Sequence, residues 1–439
     1  MVEGPWTRRR VEAGAGTDGG GFGGLGIRGE GTGGGGGMGY GAGGLGSVAT
    51  IGKGGGASSG GRPAAAPKLR GPGSADSEAP DGAVAKKQRP ADDRSSAPLR
   101  AGSTDDNADF KGFLKFLATW TDRDDVRGQF QPMDVQGRGF VRVLDGDGRP
   151  VPGARLEIRA AGGSGPAWLA RTQGDGRAPH YPRLFGPSQA TKYDVVASVG
   201  DERLTATWDG ADELTVRASA PRADGPMTLE VLFLIDTTGS MGDEIDRIKT
   251  SLLTVTGKAK AKRADLVLRY GAVLYRDLND DYLTMAHPFT ADLQAFDAAL
   301  QAVTAGGGGD LPEALNQGLA RAVDGMKWQE DAAKVVFLIC DAPPQMRVKG
   351  DVLYGDSAVR AIAAGLRIHA VAASGLDPLG TLVLRQIAQL TRGKFIFIEY
   401  GGARASAARH GVTGPVEAGN NLDDIILAQI SAEIDGWGR

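Results

Sequence analysis

Val231-Leu-Phe-Leu-Ile-Asp236-Thr-Thr238-Gly-Ser240-Met241 is the stretch on which the reading of this chain turns. An unbroken apolar run of strand character stops at a carboxylate, and hydroxyls follow at positions 238 and 240. A helical pattern opens at once with Asp243-Glu244-Ile245, placing acids where a helix N-terminus favours them. Strand and helix hold both ends of the loop, so the oxygens of Asp236, Thr238 and Ser240 can converge on one point. The stretch reads as a divalent-metal site on the rim of a parallel sheet.

Outward from this loop, residues 227–437 alternate strand and helix. Strands are expected at 229–236, 266–275, 282–288, 334–340, 367–372 and 394–399. Helices are expected near 240–257, 291–303, 311–325, 353–364, 378–392 and 422–435. Only Arg276-Asp-Leu-Asn-Asp280 separates the second strand from the third, which makes them an antiparallel hairpin. The other connections are long enough for helical crossovers. The fold class is therefore a doubly wound α/β sheet with helices on both faces and one antiparallel edge strand. Ligands in such sheets sit at the carboxyl ends of the strands, near the switch point.

The fourth strand, Val335-Val-Phe-Leu-Ile-Cys340-Asp341, is a second apolar run closed by a carboxylate. If it neighbours the first strand, Asp236 and Asp341 meet across the crevice. Two carboxylates and two neutral hydroxyls form a hard oxygen set suited to Mg²⁺, Mn²⁺ or Ca²⁺. Neutral hydroxyls leave such an ion partly uncompensated, open to an acidic oxygen from outside. Helix capping by Asp236 and Ser240 is the competing reading, but it does not account for the second carboxylate at Asp341.

Asp236-Thr-Thr-Gly-Ser-Met241 resembles the metal-ion-dependent adhesion site of von Willebrand factor A domains, the Asp-x-Ser-x-Ser pattern, with Thr238 in place of the first serine. Asp341 matches that family's second acidic residue after the fourth strand. The family's separate threonine would fall in Ala305-Gly-Gly-Gly-Gly309-Asp310-Leu-Pro-Glu-Ala314, where Gly309 takes its place. Asp310 is the nearest oxygen and is a further candidate ligand. It is equally placed as a helix cap, with Pro312 and Glu313 completing a helix start. The resemblance implies a metal-dependent protein-binding module, without enzymatic activity, that captures a carboxylate of a partner protein. It also implies that the C-terminal helix, Asn421–Ile434, can shift when the site engages ligand. A second reading is an assembly subunit of a chelatase- or ATPase-type complex; a metal-dependent hydrolase is a third.

Before this domain, residues 130–220 read as short strands between Gly/Asp turns, as in Gly139-Phe-Val-Arg-Val-Leu144 and Glu202-Arg-Leu-Thr-Ala-Thr-Trp208. The expectation is an antiparallel β-sandwich. Gly148-Arg-Pro-Val-Pro-Gly-Ala154 and the Gly-Asp-Gly turn after it resemble the transthyretin-like, carboxypeptidase-regulatory sandwich, which implies a spacer or adhesion unit. Asp145, Asp147 and Asp175 fall in turns that explain them without calcium. Residues 106–125 form an amphipathic helical segment, with Phe113, Phe116 and Trp120 at helical spacing after Asp105-Asp106-Asn107 as cap. The flanking acids argue against a membrane role for it. Residues 1–105 are rich in Gly, Pro and small polar residues and read as a disordered arm.

Composition narrows the function further. In 439 residues, 50 Lys+Arg against 53 Asp+Glu give a net charge of −3, without the basic excess of nucleic-acid binders. Cys340 is the one cysteine, so no intrachain disulfide forms, and it reads as a small buried hydrophobe. The four histidines are dispersed and no HExxH, G-x-S-x-G or phosphate-loop pattern is present, which argues against a zinc or serine hydrolase. Asp277, Asp280 and Asp281 read as a solvated hairpin turn. No apolar stretch approaches the ~20 residues of a membrane span. Met1-Val-Glu-Gly-Pro-Trp lacks the apolar core of a secretion signal, so a cytoplasmic location is expected unless the true N-terminus lies upstream, when a periplasmic or cell-surface location would follow.

Overall fold

The computed structural model describes residues 99–437, apart from 223, 224, 310 and 400 and the side chains of 243 and 419. Most of the arm expected over 1–105 lies outside these residues. Its last part does not: Arg100–Thr104 forms strand β1 of the main sheet. Helix α1 (Phe110–Trp120) follows, capped by Asp109, whose carboxylate accepts from the Gly112 amide. The cap is thus later than the Asp105–Asn107 expected. Asp106 is instead buried in an ion pair with Arg385 (2.6 Å), and Arg385 lies 3.6 Å over the Phe116 ring. The helix packs its aromatic face on the domain that follows.

Seven strands come next: β2 (Gly139–Leu144), β3 (Arg155–Ala160), β4 (Trp168–Arg171), β5 (Arg177–His180), β6 (Tyr193–Val199), β7 (Glu202–Trp208) and β8 (Glu213–Arg217). They form two small sheets, ordered β5-β2-β8 and β4-β3-β6-β7. The expected all-antiparallel pairing is corrected at one place, where β2 and β8 run parallel from Phe140↔Glu213 to Leu144↔Arg217. After β7 the chain crosses to the other sheet and enters it in the direction of β2. Strands β4 and β5 are four residues each, too short to show alternation, and β5 contains Pro179.

The rest of the chain runs β9 (Thr228–Asp236), α2 (Gly242–Lys260), β10 (Val267–Tyr275), β11 (Thr284–Thr290), α3 (Leu293–Gln301), α4 (Leu315–Asp324), β12 (Ala333–Cys340), α5 (Tyr354–Ala364), β13 (Leu366–Ala372), α6 (Pro378–Leu390), β14 (Phe395–Ile398), α7 (Ala403–Arg409), β15 (Glu417–Asn421) and α8 (Leu422–Trp437). The sheet order is β11-β10-β9-β12-β13-β14-β1-β15. Strands β10, β9, β12, β13 and β14 are parallel, and β11 is an antiparallel edge. Beyond β14 the sheet continues where no strand was expected: β1 pairs antiparallel with both β14 and β15. Small residues make this possible, since Gly102 lies against the Phe397 ring with no room for a Cβ.

Successive residues of β9 point to opposite faces. Leu232 and Leu234 join the layer holding α4, α5, α6 and the two small sheets, while Val231, Phe233 and Ile235 join the layer holding α2, α3 and α8. An apolar run without alternation is what a strand buried on both faces requires.

Candidate metal centre

Strands β9 and β12 are adjacent and in register up to Ile235↔Ile339, so their carboxyl ends open on the same rim. Asp236 is fully buried there, and its Oδ1 accepts from the Thr238 amide (2.9 Å) and the Thr238 hydroxyl (2.7 Å). The Ser240 hydroxyl donates to Asp341 Oδ1 at 3.0 Å and lies 3.2 Å from Thr238 Oγ1. Asp236, Thr238, Ser240 and Asp341 are thus brought together as a single cluster. Ser240 does not cap a helix: a 3₁₀ turn spans Gly239–Met241, and α2 starts after Met241 without a side-chain cap. Both hydroxyl protons go to carboxylates, which leaves each hydroxyl oxygen only acceptor capacity.

The second oxygen of Asp236 is buried and has no hydrogen-bond partner. Burial, then the neighbouring Asp341 charge, pushes the Asp236 carboxyl up to about 7. A buried carboxylate beside another, with an unsatisfied oxygen, lacks a compensating cation. Among the described residues no three His, Cys, Asp or Glu side chains are grouped to hold an ion by themselves. The donor set here is instead two carboxylates and two hydroxyls, a composition that fits a hard divalent ion.

Sequence reasoning missed a third acid. Glu313 was expected as part of a helix start, but α4 begins only at Leu315 and its N-cap, Ala314, makes no side-chain cap. The Glu313 amide donates to Pro343 O, and its carbonyl accepts from the Gln345 amide, both 3.0 Å, which pins it beside the Asp341 loop. Its side chain is buried with Oε2 unpartnered. Burial, then Asp236, Asp277, Asp341 and Asp280, pushes its carboxyl up to about 8. Spacing could have found it only by rejecting the helix start. Asp310 lies outside the described residues.

The β10–β11 hairpin tip is not the solvated turn expected. Asp277 is buried and accepts from Gln345 Nε2 (2.5 Å), and Asp280 accepts from the amides of Asp277 (2.9 Å) and Gly308 (2.8 Å). Of the three acids only Asp281 is exposed, 3.3 Å from Arg276. Elsewhere, Asp145 closes its own turn by accepting from the amides of Asp147 and Arg149, and Asp175 pairs with Arg392. His369 stacks on Phe337 within the main sheet, and His410 lies 2.9 Å from the Thr381 hydroxyl.

Residues 230–354 match the family model of the von Willebrand factor A domain. The alpha-protein kinase vwkA of Dictyostelium discoideum is 30% identical over 116 residues, which are 26% of this chain and 18% of that protein. Among solved structures, BatB of Bacteroides thetaiotaomicron aligns at 12% identity and a TM-score of 0.33, over 48% of this chain and 99% of that one. The pilus adhesin SpaC of Lactobacillus rhamnosus GG, in its open conformation, aligns at 13% and 0.31, over 56% and 32%. The matched region begins at the third residue of the loop-bearing strand β9 and runs past Asp341, and it supports a von Willebrand factor A domain over this part of the chain.

Proposed function

We propose that the crevice between β9 and β12 holds a divalent cation, Mg²⁺ in the first instance and Mn²⁺ or Ca²⁺ as alternatives, and that the protein is a binding module without enzymatic activity. Asp236, Thr238, Ser240 and Asp341 would hold the ion, and Asp310, beside Gly309, is the nearest carboxylate in sequence to add a donor. Bound there, the ion would neutralise the buried carboxylates and offer an open position to an acidic oxygen of a partner protein. The observation that carries this reading is the buried, unpartnered second oxygen of Asp236 next to Asp341. The two small sheets, taken as the carboxypeptidase-regulatory-like sandwich, would act as a spacer. A partner retained in a pull-down with Mg²⁺, and released both by chelator and by Asp341→Ala, supports the module. Retention unchanged by chelator contradicts it.

A further inference from the structure

We infer that Asp280 is the positioning residue of this site, an assignment that rests on the ion-binding reading above. Three separate loops meet at the rim: the ion loop after β9, the hairpin tip after β10, and the glycine loop that precedes α4. Within the ion loop, Gly239 has no side chain to pack, although Thr237, Thr238 and Met241 beside it are buried. The ion loop is held by backbone bonds to the glycine loop, where the Gly306 amide donates to Thr237 O and the Gly239 amide donates to Gly307 O, both at 3.0 Å. Those bonds hold the ion loop only as firmly as the glycine loop itself is held. Gly307 and Gly308 have φ of +71° and +65°, which glycine adopts about as readily as negative values, so their own residue type does not fix the path of the loop.

Asp280 supplies the fixed point. One oxygen, Oδ2, takes the Gly308 amide at 2.8 Å and the Asp277 amide at 2.9 Å, bridging the glycine loop to the end of β10. Gly307 turns its Cα against this carboxylate, so a side chain there would displace it. The hairpin is in turn fastened to the ion loop, with the Tyr282 hydroxyl 2.6 Å from Thr237 Oγ1 and the Arg276 guanidinium 4.5 Å from the centre of the Tyr282 ring. The three loops therefore form a closed ring of contacts, and two side chains bridge onto the glycine loop: Arg276 donates to Thr304 O (3.0 Å) at its start, and Asp280 alone reaches the glycines themselves, at the Gly308 amide. A residue of this kind acts through the ligands it orients, and its loss typically weakens metal binding 10- to 100-fold.

The test compares Asp280→Ala with Asp280→Asn in the full chain. An asparagine carbonyl oxygen can accept both amides but carries no charge. Mg²⁺ affinity is expected to fall roughly 10- to 100-fold in Asp280→Ala and to be restored to near the wild-type value in Asp280→Asn. Amide hydrogen exchange without any metal is the second readout: Gly306, Gly308 and Gly239 should exchange faster in Asp280→Ala and recover in Asp280→Asn. Unchanged exchange in Asp280→Ala overturns the positioning role. Mg²⁺ binding lost equally in both variants also overturns it, because Asp280 would then act by its charge. If wild type binds no Mg²⁺ while exchange behaves as expected, the ion reading fails and the positioning of the loop stands.

Discussion

The two rims of the main sheet treat buried carboxylates in opposite ways. At the amino ends of the strands, acids are matched by guanidinium groups of the same chain. Asp175 pairs with Arg392 at 2.6 Å and lies 3.5 Å from Arg367, which also pairs with Glu433, and Arg269 pairs with the buried Glu230. Although burial opposes it, the charges of Arg392 and Arg367 hold the Asp175 carboxyl well below its ordinary range. At the carboxyl ends, the charges that most perturb Glu313 are all carboxylates, and Asp236 is raised by burial and by Asp341. One rim pairs its acids with guanidinium groups of the chain, although burial still raises the Glu230 and Glu433 carboxyls, and it ties the small sheets and α8 to the α/β domain. The other concentrates acid that the chain itself does not neutralise at Asp236 and Glu313, which is the condition for attracting a cation from solution.

The largest effect that would break this contrast is pH dependence without metal. Folded Asp236 titrates near 7 against an ordinary 3.8, so the folded state holds its proton more tightly than the unfolded chain does. Its burden is absent below about pH 4, grows as pH rises, and is complete above about pH 7, where it reaches about 4 kcal/mol. Urea unfolding in chelator should show stability falling across that window, and Asp236→Asn should make the fall shallower, the remainder belonging to Glu313, whose carboxyl is pushed up to about 8. A profile that rises from pH 4 to 7 and is unaffected by the substitution would show that the carboxyl rim is compensated after all. Next in size is Arg392→Ala at the opposite rim. Removing one partner of a mostly buried ion pair should cost about 3 kcal/mol, with no change in Mg²⁺ affinity. A loss below 1 kcal/mol, on the order of a surface pair, would make the two rims alike.

Much of this was legible in the sequence because the burial pattern is written into β9 and β12. Runs such as Val231–Ile235 and Val335–Cys340 are apolar at every position, as strands covered on both faces must be. Each then stops at an acid, which brought Asp236 and Asp341 together on paper. What could not be read is what depends on distant partners. Residues 101–104 are buried by β14 and β15 rather than by their own hydrophobicity, and Glu417–Asn421 has no strand pattern at all. Glu313 looked like a capping residue because its local spacing satisfies that motif, whereas its backbone is claimed by Pro343 and Gln345. Asp280 looked like a solvated turn residue because the Gly308 amide it binds is 28 positions away.

The central claim is that Asp236 and its neighbours hold a divalent ion. Isothermal titration of Mg²⁺ into metal-free protein, with Asp236→Ala alongside, tests it most directly. One saturable site in the wild type, absent in a folded Asp236→Ala, is the predicted result. Equal binding by the two proteins, or no binding by the wild type, would contradict it.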